Sequence, residues 1–137
     1  MVTYVLDASA LLRYLDNEAG AERVEQIIKG HIAEKNYAAI SAIHWGEVAG
    51  IAWKRHGEAG LRVVTSRLSA FGMEIVAVTG ERAARSAVIK QRFGIPYADA
   101  FGVDLAGDSP DHVLVTADFD VAPAKQDVRI EFLPLKP

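Results

Sequence analysis

The chain has 137 residues, half of them hydrophobic and 24% charged, which is typical of one globular domain. Its 18 acidic residues outnumber its 15 basic ones, and the net charge of -3 argues against indiscriminate nucleic-acid binding. The absence of cysteine excludes a disulfide scaffold, a zinc ribbon and a thiolate nucleophile. No apolar run is long enough to span a membrane, and the N-terminus lacks a signal-peptide pattern. We therefore expect a soluble, cytoplasmic protein without a membrane partner.

The first half of the chain alternates short apolar strands with amphipathic helices. In chain order we predict a strand at 3–6, a helix around 10–15, a helix at 21–30, a strand at 37–40 and helices at 42–55 and 58–71. Ser41 can cap the helix that follows it, and Gly57 can end that helix.

The second half continues the alternation. We predict a strand at 73–78, a helix from Thr79 to Arg92, a short helix at 97–106 that is rich in small residues, and strands at 113–116 and 128–132. Strands that alternate with helices imply right-handed crossovers and a mostly parallel sheet covered on both faces. The sequence thus predicts an α/β fold with roughly five strands, in a single domain over residues 1–137.

Two acidic residues follow predicted strands at the point where ligands collect in open parallel sheets. Asp7 comes directly after the first strand, and Asp118 comes two residues after the fourth. The carboxyl ends of parallel strands share one edge of the sheet, so we expect both side chains there. For Asp7 alone, capping of the first helix explains the residue equally well.

Two further acids occupy helix positions where apolar or small residues are expected. Glu47 shares a helix face with Ile43, Gly50 and Ile51, so its side chain is predicted to point toward the protein body. Asp99 lies among alanines and glycine in a segment without Lys or Arg. Its structural alternative is a helix N-terminal acid that the helix dipole favours.

Together these four carboxylates could converge on one sheet edge. Like charges held together raise one another's pKa unless a cation offsets them. Hard divalent ions with oxygen ligands suit such a cluster, so we expect Mg²⁺ or Mn²⁺ and not zinc. Such a site supports phosphodiester hydrolysis by a nuclease or a phosphatase. Without these four acids, basic residues slightly outnumber acidic ones, so the negative net charge does not argue against a nucleic-acid substrate.

Four stretches in register resemble the PIN domain, and specifically the small VapC-type ribonuclease toxins of toxin-antitoxin pairs. They are Tyr4 to Leu12, Ser41 with Glu47, Tyr97 to Phe101, and Leu114 to Asp118. The resemblance covers the whole chain. It implies a three-layer α/β/α sandwich, a Mg²⁺ or Mn²⁺ site and endonucleolytic cleavage of RNA.

The resemblance also implies roles for individual residues. Asp7 and Asp99 would be the principal metal ligands, Glu47 would bind directly or through water, and Asp118 would complete the site or orient the attacking water. Ser9 and Thr116 would be hydroxyl donors beside the acids. The family often has a single acid at the last motif, whereas this chain has both Asp118 and Asp120. Asp120 is therefore the lesser candidate for a metal ligand, with an exposed turn residue as the alternative.

Substrate and partner surfaces are predicted from charge and hydropathy. One net-basic helix could follow an RNA backbone through Arg82, Arg85, Lys90 and Arg92, although a solvated helix face explains these residues equally well. The first two helices have more apolar residues than one small sheet obviously needs, namely Leu11, Leu12, Leu15, Val24 and Ile28. In the resembling family such a groove receives the VapB-type antitoxin, and the toxin forms homodimers, so we expect a homodimer or a toxin-antitoxin hetero-oligomer.

The sequence thus predicts a metal-dependent endoribonuclease toxin that cleaves RNA with an activated water. A haloacid-dehalogenase-like phosphatase would also begin with an aspartate after the first strand, but it needs a second Asp where this chain has Ser9. A degenerate PIN-like module that binds RNA or protein without catalysis is the remaining alternative. The four acids weigh against it, because a module that only binds has no evident use for mutually repelling carboxylates.

Overall fold

A computed structural model describes residues 1–136 and contains one five-stranded sheet. The strands are β1 (Thr3–Leu6), β2 (Tyr37–Ser41), β3 (Glu74–Val76), β4 (His112–Thr116) and β5 (Ile130–Phe132). They lie in the order β3-β2-β1-β4-β5, and every neighbouring pair is parallel. The predicted parallel five-stranded α/β fold is confirmed.

Within residues 1–136, five α-helices and one 3-10 helix connect the strands. They are α1 (Ala8–Leu15), α2 (Ala21–Ile32), α3 (Ala42–Phe71), α4 (Gly80–Phe93), α5 (Tyr97–Ala106) and the 3-10 helix Phe119–Gln126. The helix predicted to end at Gly30 continues for two more residues. The two helices predicted on either side of Gly57 form one long element, and this glycine has non-helical backbone angles inside it.

The sheet separates two apolar clusters, because successive side chains of a strand point to opposite faces. Leu6 and Val115 pack with α1, α2 and α3 on one face. Val5 and Leu114 pack with α5 and the 3-10 helix on the other. The chain is therefore a three-layer α/β/α sandwich. Among residues 1–136, no helix combines the length and the apolar character that crossing a bilayer requires.

The centre of the sheet positions the acidic residues. From β1 the chain winds outward through β2 to β3, whereas β4 and β5 lie on the other side of β1. The winding therefore reverses between β1 and β4, and a crevice forms at their carboxyl ends, where ligands bind in open α/β sheets. Asp7 follows β1 and Asp118 follows β4 at this crevice.

Candidate functional site

Asp7 is buried at the end of β1, and three donors surround its carboxylate. Oδ1 accepts hydrogen bonds from the Ser9 hydroxyl at 2.6 Å and from the backbone N–H of Ala10 at 2.9 Å. Oδ2 accepts one from the hydroxyl of Thr116. The bond from Ala10 caps α1, so Asp7 serves the helix and faces the crevice at the same time.

Ser9 and Thr116 tie the start of α1 to the end of β4. The Ser9 hydroxyl accepts a bond of 2.9 Å from the backbone N–H of Ala117, and the Thr116 hydroxyl accepts one of 2.9 Å from the N–H of Asp118. Both hydroxyls also donate to Asp7. Each therefore fixes the position of Asp7 relative to the loop that carries Asp118.

Asp118 is the N-cap of the 3-10 helix. Its Oδ1 accepts a hydrogen bond of 2.9 Å from the backbone N–H of Asp120, which satisfies one free donor of that helix. Asp120 itself is exposed. The capping bond holds the Asp118 carboxylate against the backbone, with its second oxygen remaining for other partners.

Asp99 lies in the first turn of α5 and shows most directly that the acids converge. Its pKa is raised to about 7, mainly because the carboxyl is partly buried and also because of the charge of Asp118, a hydrogen bond with Asp118, and the charges of Asp7 and Glu47. Carboxylates from four separate elements therefore act on one another at this edge of the sheet.

Glu47 lies on the second turn of α3, at the rim of the crevice. Its side chain is 46% exposed, so the glutamate predicted to point toward the protein body is not buried, although its Oε1 lies 3.9 Å from Nε2 of the buried His44. Helical periodicity gives the direction of a side chain around its own helix, but the length of the glutamate lets its carboxylate extend beyond the packed part of that face. From the rim its charge still raises the pKa of Asp99.

His44 is a buried residue beside the acids that the predicted site does not include. Its Nε2 lies 2.9 Å from the carbonyl oxygen of Ala98 and 3.9 Å from Oε1 of Glu47. A carbonyl can only accept, so Nε2 carries the proton and donates. The position of His44 three residues before Glu47, on the same helix face, is the sequence signal for this contact.

The basic face predicted on α4 is largely paired within the chain. Arg82 bonds the carboxylates of Asp104 at 2.9 Å and Asp108 at 2.7 Å, and Arg85 bonds Asp104 at 2.7 Å. These hydrogen bonds raise the pKa of both arginines. Asp104 is not among the acids that raise the pKa of Asp99, and its ion pairs join α5 to α4.

The contact of this helix with RNA stays a prediction. For Arg82 and Arg85 it would require ion pairs to open. Arg92 pairs with Asp127 at 3.0 Å but is largely exposed, and Lys90 is half-buried.

The apolar faces of α1 and α2 are mostly internal. Leu11, Val24 and Ile28 belong to the buried core, so the prediction that they form a surplus apolar surface is wrong for these residues. Leu12 and Leu15 instead line an open groove of about 370 Å³ between α1 and α3. Its opposite wall is formed by residues of α3, among them Ile51, Val63 and Val64, with Asp16, Arg55 and Arg67 adding charge.

The acidic site suits a hard divalent cation by its donor chemistry. Its potential ligands are carboxylate oxygens, and their crowding is what a bound cation would neutralise. Within residues 1–136, no three histidine, aspartate or glutamate side chains already stand as a closed set of metal ligands. For a cation to be held there, these carboxylates would need to approach one another more closely.

The family model of the PIN domain matches residues 4–125 of this chain. The chain belongs to the PIN-domain family. PIN domains are generally nucleases, and they generally use divalent metal ions. The match includes Asp7, Glu47, Asp99 and Asp118.

Solved structures share the fold of this PIN domain at low sequence identity. VapBC2 from Rickettsia felis, bound to a DNA fragment from its promoter, has a TM-score of 0.72 and 16% identity over 97% of this chain and 100% of that chain. DNA-bound VapBC from Salmonella typhimurium has a TM-score of 0.68 and 19% identity over 96% and 98%. A toxin-antitoxin complex from Klebsiella pneumoniae has a TM-score of 0.65 and 23% identity over 87% and 90%. No curated protein matches the sequence.

Proposed function

We propose that this PIN domain is a VapC-type toxin that cleaves RNA endonucleolytically with the help of Mg²⁺ or Mn²⁺. The observation that carries the proposal is the convergence of four carboxylates from separate elements at the β1–β4 crevice. Such a cluster destabilises the protein on its own and becomes useful when a cation binds. Membership of a family of nucleases supports hydrolysis of a phosphodiester as the reaction.

Each acid has a role that follows from its surroundings. Asp7 is held by three donors and would be the fixed ligand. Asp99 and Asp118 would be the ligands that gather around the cation, and Glu47, at the exposed rim, would bind directly or through a water. When bound, the metal would polarise the phosphoryl oxygen and lower the pKa of the attacking water. Asp118 would complete the site or orient the attacking water.

Incubation of the purified, antitoxin-free protein with total RNA tests the reaction. We expect discrete cleavage products with Mn²⁺ or Mg²⁺, and none in EDTA or with Asp7→Asn. Asp111→Asn is the matched control, because Asp111 is an exposed aspartate just before β4, at the opposite edge of the sheet. It should cleave as the unaltered chain does.

Two outcomes would contradict the mechanism. Cleavage that persists in EDTA, or in Asp7→Asn, would exclude the proposed metal site. RNA binding without cleavage in any metal would instead indicate a PIN module that binds its partner without catalysis.

We further propose that a VapB-type antitoxin restrains the enzyme by docking in the groove between α1 and α3. The structural neighbours are toxin-antitoxin complexes, which supports a partner of this kind. Leu12 and Leu15 on one wall and Ile51 on the other offer an apolar surface to an amphipathic segment.

Co-expression with the protein of the adjacent short reading frame tests this partner. We expect the two chains to purify together and the nuclease to be inhibited. Leu15→Glu should release the partner and leave RNA cleavage intact, because Leu15 is the last residue of α1 and Asp7 lies at the other end of that helix. Loss of both would show that the substitution unfolds the chain, and a thermal melt distinguishes that case. The mass of the complex would also test the predicted homodimer or hetero-oligomer.

A further inference from the structure

An exposed aromatic side chain stands directly beside the acidic site. Phe119 follows Asp118 at the start of the 3-10 helix and is 47% exposed. Isolated exposed apolar residues are common on protein surfaces and need no explanation by themselves. Phe119 differs in two respects, which are its place next to a proposed metal ligand and its support from behind.

That support is a second aromatic ring. Phe119 stacks on Phe132 with ring centroids 4.7 Å apart and ring planes inclined by only 12°. Phe132 packs against the apolar cluster of the α5 face. The Phe119 ring is therefore held in one orientation before any ligand arrives, which reduces the entropy that a ligand must overcome.

The strand register places this pair at the catalytic edge. Phe132 is the partner of Thr116 across β4 and β5, and Thr116 donates a hydrogen bond to Asp7. Paired residues of parallel strands project from the same face of the sheet. The aromatic pair and the acids therefore share one face and one end of the sheet.

A positive charge accompanies the aromatic pair. The Lys125 ammonium lies 5.5 Å from the centroid of the Phe132 ring, and its side chain is exposed. A nucleotide offers an aromatic base together with an anionic phosphate, and the aromatic pair offers the exposed ring of Phe119 together with an ammonium next to Phe132.

We propose that the ring of Phe119 is a stacking platform for a base of single-stranded RNA next to the cleaved phosphodiester. This inference rests on the proposed nuclease function. A base that stacks on Phe119 holds its own phosphate near Asp118, one residue away, so the platform positions the substrate relative to the acids. Stacking accepts every base, so the platform selects unpaired RNA over a duplex without selecting a sequence.

Single abasic substitutions in an RNA oligonucleotide test the platform without altering the protein. The oligonucleotide contains one mapped cleavage site, and each nucleotide around it is replaced in turn by an abasic residue. One position near the site should lower kcat/KM by about 5- to 150-fold, the range that base stacking on an aromatic side chain supplies. The other positions should have smaller effects.

Protein variants, combined with the abasic oligonucleotides, give a double-mutant cycle between residue 119 and the base. Phe119→Leu keeps an apolar side chain without a ring face, and should lower kcat/KM on intact RNA by a similar factor. With the sensitive position abasic, Phe119→Leu should cause no further loss, whereas independent effects would multiply. Phe119→Trp should retain activity because it keeps a stacking face. Tyr37→Leu is the control, since Tyr37 is a 53% exposed aromatic residue at the amino end of β2, away from the acids.

The outcomes separate this inference from the function on which it rests. If the unaltered protein cleaves no RNA, the proposed function fails. If it cleaves RNA and no abasic position matters, or if the losses from Phe119→Leu and the abasic position multiply, only the platform is excluded. If Phe119→Leu weakens antitoxin binding and leaves kcat/KM unchanged, Phe119 is a protein contact and the inference is overturned.

Discussion

The imidazole of His44 donates a hydrogen bond of 2.9 Å to the carbonyl oxygen of Ala98, and this bond joins the helix that carries Glu47 to the helix that carries Asp99. The approach is close because residue 102 has no side chain. A Cβ atom there would lie 3.3 Å from Cε1 of His44 and 3.0 Å from Cδ1 of Leu114. The spacing between two proposed metal ligands thus depends on a buried bond that neither ligand makes.

Replacement of His44 should therefore lower the affinity for the metal ion clearly and lower the thermal stability of the fold only slightly. We expect His44→Leu to lower the affinity for Mn²⁺ by about 10-fold or more, as losses of groups that orient metal ligands do. His44→Gln can still donate from its amide and should recover most of the affinity. Isothermal titration with Mn²⁺ measures the affinities, and thermal melts report the fold. If both variants had a lower melting temperature and an unchanged affinity for Mn²⁺, His44 would contribute to packing and not to the position of the metal ligands.

Crowding at Asp99 makes the stability of the metal-free protein depend on pH. Its pKa is raised from 3.8 to about 7, so between these values the folded state holds a proton that the unfolded chain releases. The resulting stabilisation is complete below the lower value and is lost as the pH rises through the upper one. Since the side chain is only half-buried, we expect a loss of roughly 1–2 kcal/mol between about pH 5 and 8. Denaturant unfolding in EDTA measures it.

Asp99→Asn is the matched variant for this effect. It removes the titrating group and the like charge, so its metal-free stability should change less with pH and should exceed that of the unaltered chain above about pH 7. Addition of Mg²⁺ should stabilise the unaltered chain more than the variant. If the stability of the two chains changed with pH in the same way, the repulsion among the acids would not act through the titration of Asp99.

The features that the sequence predicts correctly depend on local pattern. Apolar runs that stop at Asp7 and near Asp118 locate two strand ends, and parallel strands bring their carboxyl ends to one edge. The small residues at 97–106 indicate a helix that packs closely, and the whole segment from Ala100 to Ala106 is buried. These inferences need only periodicity and the rules of strand connection.

The features that the sequence misses depend on distances between elements. Periodicity gives the direction of Glu47 around its own helix, but not the fraction of its side chain that stays exposed, which is 46%. The pairing of Arg82 with Asp104 joins residues 22 positions apart and exists only because α4 packs on α5. The sequence alone does not show whether Leu11 lies in the core or in an open groove. The packing of α2 against α1 determines this.

Any side chain at Gly57 should lower the stability of the fold. Its backbone angles of φ 64° and ψ -155° lie in a region that is essentially open to glycine alone. Gly57→Ala should cost about 1–3 kcal/mol of stability, measured by thermal or denaturant unfolding. Gly50 is the control, because it is exposed within the same helix and a Cβ there meets open space. Gly50→Ala should stabilise the chain by about 0.5–1 kcal/mol, and equal signs for the two variants would contradict the break in α3.

The pairing of Asp104 with Arg82 and Arg85 should be among the most costly contacts to break. The side chain of Asp104 is only 3% exposed, and both of its oxygens accept from an arginine. Asp104→Asn keeps the shape and removes the charge at the buried position, while Arg82 keeps its pair with Asp108 and the Arg85 side chain is half-exposed. We expect a loss of about 1.5–3 kcal/mol in the free energy of unfolding, because the amide nitrogen of Asn cannot accept the hydrogen bond that one carboxylate oxygen accepts from an arginine.

Glu58→Gln separates this effect from ordinary surface electrostatics. Glu58 pairs with Arg62 at 3.8 Å, and both side chains are exposed, so the loss should be under about 0.5 kcal/mol because solvent screens such pairs. High salt should reduce the small effect of Glu58→Gln and leave most of the effect of Asp104→Asn. Similar losses in the two variants would mean that the bridge from α4 to α5 behaves as a surface ion pair and does not fix the helix that carries Asp99.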